Sequence, residues 1–150
     1  MDEPSPAFGP VKVLVIEDNA DDRELLLRQL LKSGLGEHVK FISDGQEALD
    51  LLTGPEAPRA DDLIIVLLDL RLPSLSGLEL LRRLRALPRF HSLPVTVMTS
   101  SNDPRDLEEC RRLNVLNYLT KPVTFDSFSK AVADMFHPPR GAGEPATGNI

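Results

Sequence analysis

The sequence predicts a single α/β domain in which a five-stranded parallel sheet is covered on both faces by five helices. Three observations predict it. Five short aliphatic runs are spaced along the chain, each of the kind needed by a strand buried on both sides. Each run is followed by a stretch whose apolar residues recur with helical spacing. The links between them are short, as expected of crossovers in one doubly wound sheet.

Residues 1–10 are acidic and Pro-rich and read as a flexible segment ahead of a domain spanning 11–136. "VKVLVI" (11–16) is the first strand, and Leu27, Leu30, Leu31 and Gly34 then mark a helical face. "HVKFI" (38–42) is a second, weaker strand. Ser43 and Gln46, three apart, form a capping box that opens the second helix. "LIIVLLD" (63–69) is the third and most apolar strand. From Ser76 a helix runs with Leu80, Leu84 and Leu87 on one face until Pro88 closes it, and its "RRLR" (82–85) reads as a solvated face.

"PVTVMTS" (94–100) is the fourth strand. Asp103 is the expected N-cap of the fourth helix, with Pro104 at its first position. "VLNYLT" (115–120) is the fifth strand, and Phe125, Phe128, Val132, Met135 and Phe136 form the core stripe of the last helix. The closing "HPPRGAGEPATGNI" (137–150) reads as a flexible Pro/Gly-rich tail.

Composition narrows the function. At 150 residues, 41% of them hydrophobic, the chain is long enough to bury one proper core. The formal charge is −6 and the basic residues are dispersed, so no basic stripe is available for nucleic acid. A single cysteine, Cys110, excludes an internal disulfide and reads as a small buried hydrophobe. With three scattered histidines it also falls short of a zinc site. No apolar run approaches a membrane span, and the start is unlike a signal peptide, so a cytoplasmic location is expected.

In open parallel sheets, sites form beyond the carboxyl ends of the strands. Strand one ends in Glu17 and Asp18, strand three in Asp69, and strand four in Thr99 with Ser100 and Ser101. Strand five runs into Lys121 and Pro122. A carboxylate such as Asp69 at the end of so apolar a strand is costly unless something compensates for its burial. Clustered carboxylates raise one another's pKa unless a cation intervenes, and Lys121 supplies only one positive charge. Oxygen ligands without His or Cys suit a hard ion, and Mg²⁺ binds through one or two carboxylates plus water and phosphate. Metal, lysine and hydroxyl together would receive the oxygens of a phosphoryl group, and an aspartate can be its nucleophile.

"VLVIEDNADD", "SDGQEALDLL", "LLDLRLPSLSGLELLRRLR", "LPVTVMTSS" and "NYLTKPV" resemble the receiver domain of two-component response regulators. The likeness runs over residues 11–136, with Asp69 to Thr99 thirty positions and Thr99 to Lys121 twenty-two. It implies a flavodoxin-like, CheY-like strand order 2-1-3-4-5. It also implies that Asp69 takes a phosphoryl group from a phosphohistidine on a sensor histidine kinase. Mg²⁺ would be held by Glu17, Asp18, Asp69 and the backbone carbonyl of Arg71. Lys121, ahead of a proline bond that is typically cis in this family, would contact the phosphoryl oxygens.

Thr99 would be the switch hydroxyl and Tyr118 the aromatic that turns inward as Thr99 moves, altering the surface from strand four to helix five. Arg71 and Ser101 occupy positions that tune how readily water attacks the acyl phosphate. Such a protein is a phosphoacceptor, self-phosphorylating and autodephosphorylating with Mg²⁺, rather than an enzyme with a substrate of its own.

"EDNADD", with Asp22 four after Asp18, the insert "TGPEAPRADD" and the want of an output domain after residue 136 look like the stand-alone regulators of bacterial phytochromes. That likeness implies a bacteriophytochrome kinase as partner and a homodimer through the strand 4–helix 5 region. Two other readings stand beside it. A receiver fold kept as a phosphorylation-independent docking module would be expected to have lost a site residue. A phosphatase of the haloacid-dehalogenase type needs a second acid where this chain has Arg71.

Overall fold

The computed structural model describes residues 11–59, 62–63 and 65–136. The expected flexible ends, 1–10 and 137–150, lie outside these residues, as does Ile64 of the third strand. In chain order the elements are β1 (Val13–Ile16), α1 (Ala20–Lys32), β2 (Val39–Ile42), α2 (Gly45–Thr53), β3 (Ile65–Asp69) and α3 (Gly77–Arg85). β4 (Val95–Thr99), α4 (Pro104–Arg112), β5 (Asn117–Thr120) and α5 (Phe125–Phe136) follow. Single 3₁₀ turns at Gly36–His38 and Pro88–Phe90 lead into β2 and follow α3.

The strands form one parallel sheet in the order β2-β1-β3-β4-β5, as expected. Every residue of β1, β3 and β4 is buried, which is why these strands read as unbroken aliphatic runs. β2 and β5 are the edges and stay partly open. On one face Leu14, Ile16, Val66, Leu68 and Val97 pack with Leu52, Leu80, Leu84, Phe90 and Cys110. On the other, Val13, Val15, Ile65, Leu67 and Met98 pack with Leu26 and Leu30 of α1 and Phe128 of α5. Each such side chain contributes roughly 1.5–3 kcal/mol by leaving water.

Four local expectations are corrected. The cap of α2 is Asp44, whose carboxylate accepts from the amides of Gln46 and Glu47, rather than Ser43. An ionised cap at the positive helix end outcompetes the neighbouring hydroxyl. The buried stripe of α1 is Leu26, Gln29 and Leu30, while Leu31 is 57% exposed, because the helix meets the sheet one position earlier in its turn. Phe125, at the open start of α5, is 43% exposed and lies beneath the Lys32 ammonium, 5.0 Å from the ring centroid. Arg85 is not part of a solvated face. Its guanidinium donates to the carbonyls of Leu113, Phe90 and Asn114 at 2.7, 3.0 and 3.3 Å, tying α3 to the end of α4.

The register brings the functional ends together. Ile16 lies between Ile42 and Leu68, Asp69 opposite Met98, and Thr99 opposite Thr120. Glu17, Asp69, Thr99 and Lys121 therefore emerge along one edge of the sheet. Gly77 lets α3 start against the end of β3, since a β-carbon there would collide with the Asp69 carbonyl oxygen. Ser74, at φ 70°, turns the β3–α3 loop back so that its hydroxyl donates to Asp44 at 2.9 Å.

Candidate functional site

Beyond this edge lies an open cleft of about 520 Å³ lined by Glu17, Asp18, Asn19, Asp22, Asp69, Arg71, Ser100, Lys121 and Pro122. Glu17, Asp18, Asp69, Arg71 and Lys121, expected from the sequence to hold metal or phosphoryl group, therefore meet there. Thr99 and Tyr118 stand behind it.

Glu17 follows β1 and is fully buried. One of its carboxylate oxygens accepts from the Lys121 ammonium at 2.7 Å and the other from the Asn19 amide at 3.0 Å. Burial pushes its carboxyl up to about 7, against the pull of the Lys121 and Asn19 hydrogen bonds and with the help of the Asp69 charge. Asp69 ends β3, also buried, and accepts from Lys121 Nζ at 3.0 Å and from the Arg71 amide at 3.1 Å. Asp18 projects into solvent, yet one oxygen each from Glu17, Asp18 and Asp69 lie within 4.8 Å of one another.

Lys121 follows β5, its amide donating to the Thr99 carbonyl at 2.9 Å, and the bond to Pro122 is cis. Its ammonium also donates to Asp22 of α1 at 2.9 Å. Burial alone would lower its pKa, but the bonds to Glu17, Asp22 and Asp69 outweigh burial and hold it above the usual lysine range. Asp22 was seen in the sequence only as part of a motif. Its meeting with a lysine ninety-nine positions away is a tertiary fact with no local signal.

Thr99 is fully buried, and its hydroxyl oxygen accepts from the Ser101 amide at 3.1 Å. The Tyr118 ring is half-buried on the outer strand, and its hydroxyl donates to the Ser101 carbonyl at 3.1 Å. The Ser101 hydroxyl donates to Asp106 of α4 at 2.8 Å and accepts from the Asp103 amide at 3.2 Å. Arg71 is exposed at the cleft rim, with no acid in its place two residues beyond Asp69.

Three carboxylates converge on a gap with one ammonium between two of them, so carboxylates outnumber the ammonium there. This donor set is all oxygen and fits a hard divalent cation. Among the described residues no helix is long and apolar enough to cross a membrane.

The family model described as "Response regulator receiver domain" matches residues 13–133. A curated relative, the probable methanogenesis regulatory protein FilR2 of Methanothrix harundinacea, is 33% identical over 129 residues, 86% of this chain and 83% of that one. The rice two-component response regulator ORR1 is 28% identical, and the chain spans about half (51%) of its length. Among solved structures, the bacteriophytochrome response regulator AtBRR is 37% identical at a TM-score of 0.68, covering 85% of this chain and 93% of that one. The Mn²⁺-bound form of response regulator Rcp1 superposes with a TM-score of 0.71 at 29% identity, covering 87% and 96%.

Proposed function

The chain belongs to the response regulator receiver family, and from that premise we propose what each residue of its cleft does. Asp69 accepts a phosphoryl group from a phosphohistidine of a sensor histidine kinase. The observation that carries this reading is the Lys121 ammonium lodged between Glu17 and Asp69, at 2.7 and 3.0 Å, beside the open cleft.

An Asp69 carboxylate oxygen attacks phosphorus in line. A P–O bond forms as the P–N bond breaks, and the imidazole leaves with the bonding pair. A carboxylate needs no general base for this step, so the chain's task is to position and to neutralise. The Lys121 ammonium donates to a phosphoryl oxygen, and the Arg71 amide holds the second Asp69 oxygen still. Glu17, Asp18, Asp69 and the Arg71 carbonyl would hold Mg²⁺, which when bound offsets the negative charge of the phosphoryl oxygens. Hydrolysis back to the carboxylate is water attacking the same phosphorus.

Once phosphate stands on Asp69, the Thr99 hydroxyl turns from the Ser101 amide to donate to a phosphoryl oxygen. Space then opens for Tyr118, whose release from Ser101 frees the start of α4. The donor kinase is of bacteriophytochrome type, a reading supported by the likeness to AtBRR. Copies of the chain pair through the β4–α5 region, where Leu107 and Phe125 are exposed.

Intact mass after incubation with acetyl phosphate tests the reading. Wild type gains one phosphoryl group with Mg²⁺ and none with chelator, and Asp69→Asn gains none. A gain retained in Asp69→Asn would refute it.

A further inference from the structure

Lys121 carries three ammonium protons, and each is already committed to a carboxylate: Glu17 at 2.7 Å, Asp22 at 2.9 Å and Asp69 at 3.0 Å. An arriving phosphoryl oxygen must therefore displace one of the three. The partners are not equivalent. Glu17 is fully buried and Asp69 nearly so, and a carboxylate abandoned in such a place loses its compensation without gaining water. Asp22 sits in the first turn of α1 with 33% of its side chain exposed, where water can replace the ammonium. Its carboxylate stands outside the cluster of Glu17, Asp18 and Asp69 that converges for a cation. It also lines the cleft a dianionic phosphodonor must enter.

We infer that Asp22 is a positioning residue that restrains Lys121, competing with the incoming phosphoryl group for the ammonium and so weakening capture of the phosphodonor. The inference rests on Asp69 being the acceptor. Asp22 acts in two ways of the same sign. It occupies one of the lysine's donors, and it places a negative charge at the mouth of the cleft. Both effects fall on the first encounter with a phosphorylated donor. Asp22→Asn keeps the size of the side chain while it removes the charge and weakens the hold on the Lys121 ammonium, so it lessens both effects without a change of shape.

The test is steady-state phosphate release from acetyl phosphate with Mg²⁺, measured on the full chain as wild type, Asp22→Asn, Asp22→Glu and Asp69→Asn. Release at steady state registers turnover however short-lived the adduct is. Asp22→Asn is expected to raise the slope of phosphate release against acetyl phosphate at low donor concentration, where capture alone limits turnover, about three- to tenfold at low salt. The advantage shrinks as ionic strength rises, and Asp22→Glu returns the value to that of wild type. A merely structural role would shift the thermal midpoint and leave that slope unmoved. Wild type active above Asp69→Asn, with Asp22→Asn equal to it or weaker in donor capture, would overturn this inference alone. Wild type no more active than Asp69→Asn would overturn the acceptor assignment and this inference with it.

Discussion

The Tyr118 hydroxyl donates to the carbonyl oxygen of Ser101 at 3.1 Å, and the amide of that same residue donates to the Thr99 hydroxyl oxygen at 3.1 Å. Ring and hydroxyl are thus joined through one residue, so that moving either one strains the hold on the other. Tyr118 is the sole tyrosine of a chain without tryptophan, and intrinsic fluorescence reports this ring alone. Beryllofluoride with Mg²⁺ should change that emission in wild type and leave it unchanged in Thr99→Ala. A full response in Thr99→Ala would separate the ring from the hydroxyl.

Ser101→Ala keeps the backbone link but deletes the bonds from its hydroxyl to Asp106 and from the Asp103 amide to that hydroxyl. The start of α4 loses its tether to β4. A stability loss of about 1–2 kcal/mol is expected in urea titration, with acetyl phosphate still able to modify the protein.

Lys121→Ala leaves buried Glu17 and Asp69 without their shared ammonium. Phosphorylation by acetyl phosphate should slow by about tenfold or more, the equivalent of one lost charge-assisted hydrogen bond. Stopped-flow fluorescence of Tyr118 measures it. An unchanged rate would remove Lys121 from the phosphoryl contacts.

Arg85→Lys tests the clamp between α3 and α4. An ammonium cannot reproduce the guanidinium fork that serves three carbonyls. A loss of about 1–3 kcal/mol is expected by denaturant unfolding, with phosphorylation intact.

Burial pushes the Cys110 thiol up to about 11 from an ordinary 9.0, helped by the charges of Asp106 and Glu109. Between those values the unfolded chain releases this proton and the native one keeps it. The native state then binds more protons, so stability falls as pH rises from about 9 through 11, and this group adds no slope below that window. Urea midpoints at pH 8 and 10.5 should diverge more in wild type than in Cys110→Ala. At pH 8 a thiol reagent should label Cys110 only after unfolding.

The sheet was legible because β1, β3 and β4 are buried on both faces and leave aliphatic runs, while Asp69 interrupts the strongest of them. Glu17, Asp18 and Asp69 were legible for the same reason, standing at the ends of such runs, and Lys121 follows the edge strand β5. Helix faces were less so. Leu31 and Phe125 fit an apolar period yet face outward, since a period does not say where a helix touches the sheet. Asp22 and Arg85 take their meaning from partners far away in sequence, Lys121 and the carbonyls near the end of α4. Neither partnership leaves a local mark.

The central claim is that Asp69, held by Lys121, is the phosphoacceptor. Borohydride reduces an aspartyl phosphate to homoserine, so treatment after acetyl phosphate and Mg²⁺, followed by peptide mapping, reads the modified position directly. The account predicts homoserine at position 69 alone, dependent on both phosphodonor and Mg²⁺. Homoserine at Asp18, Asp22 or any other aspartate, with residue 69 recovered unchanged, would contradict it.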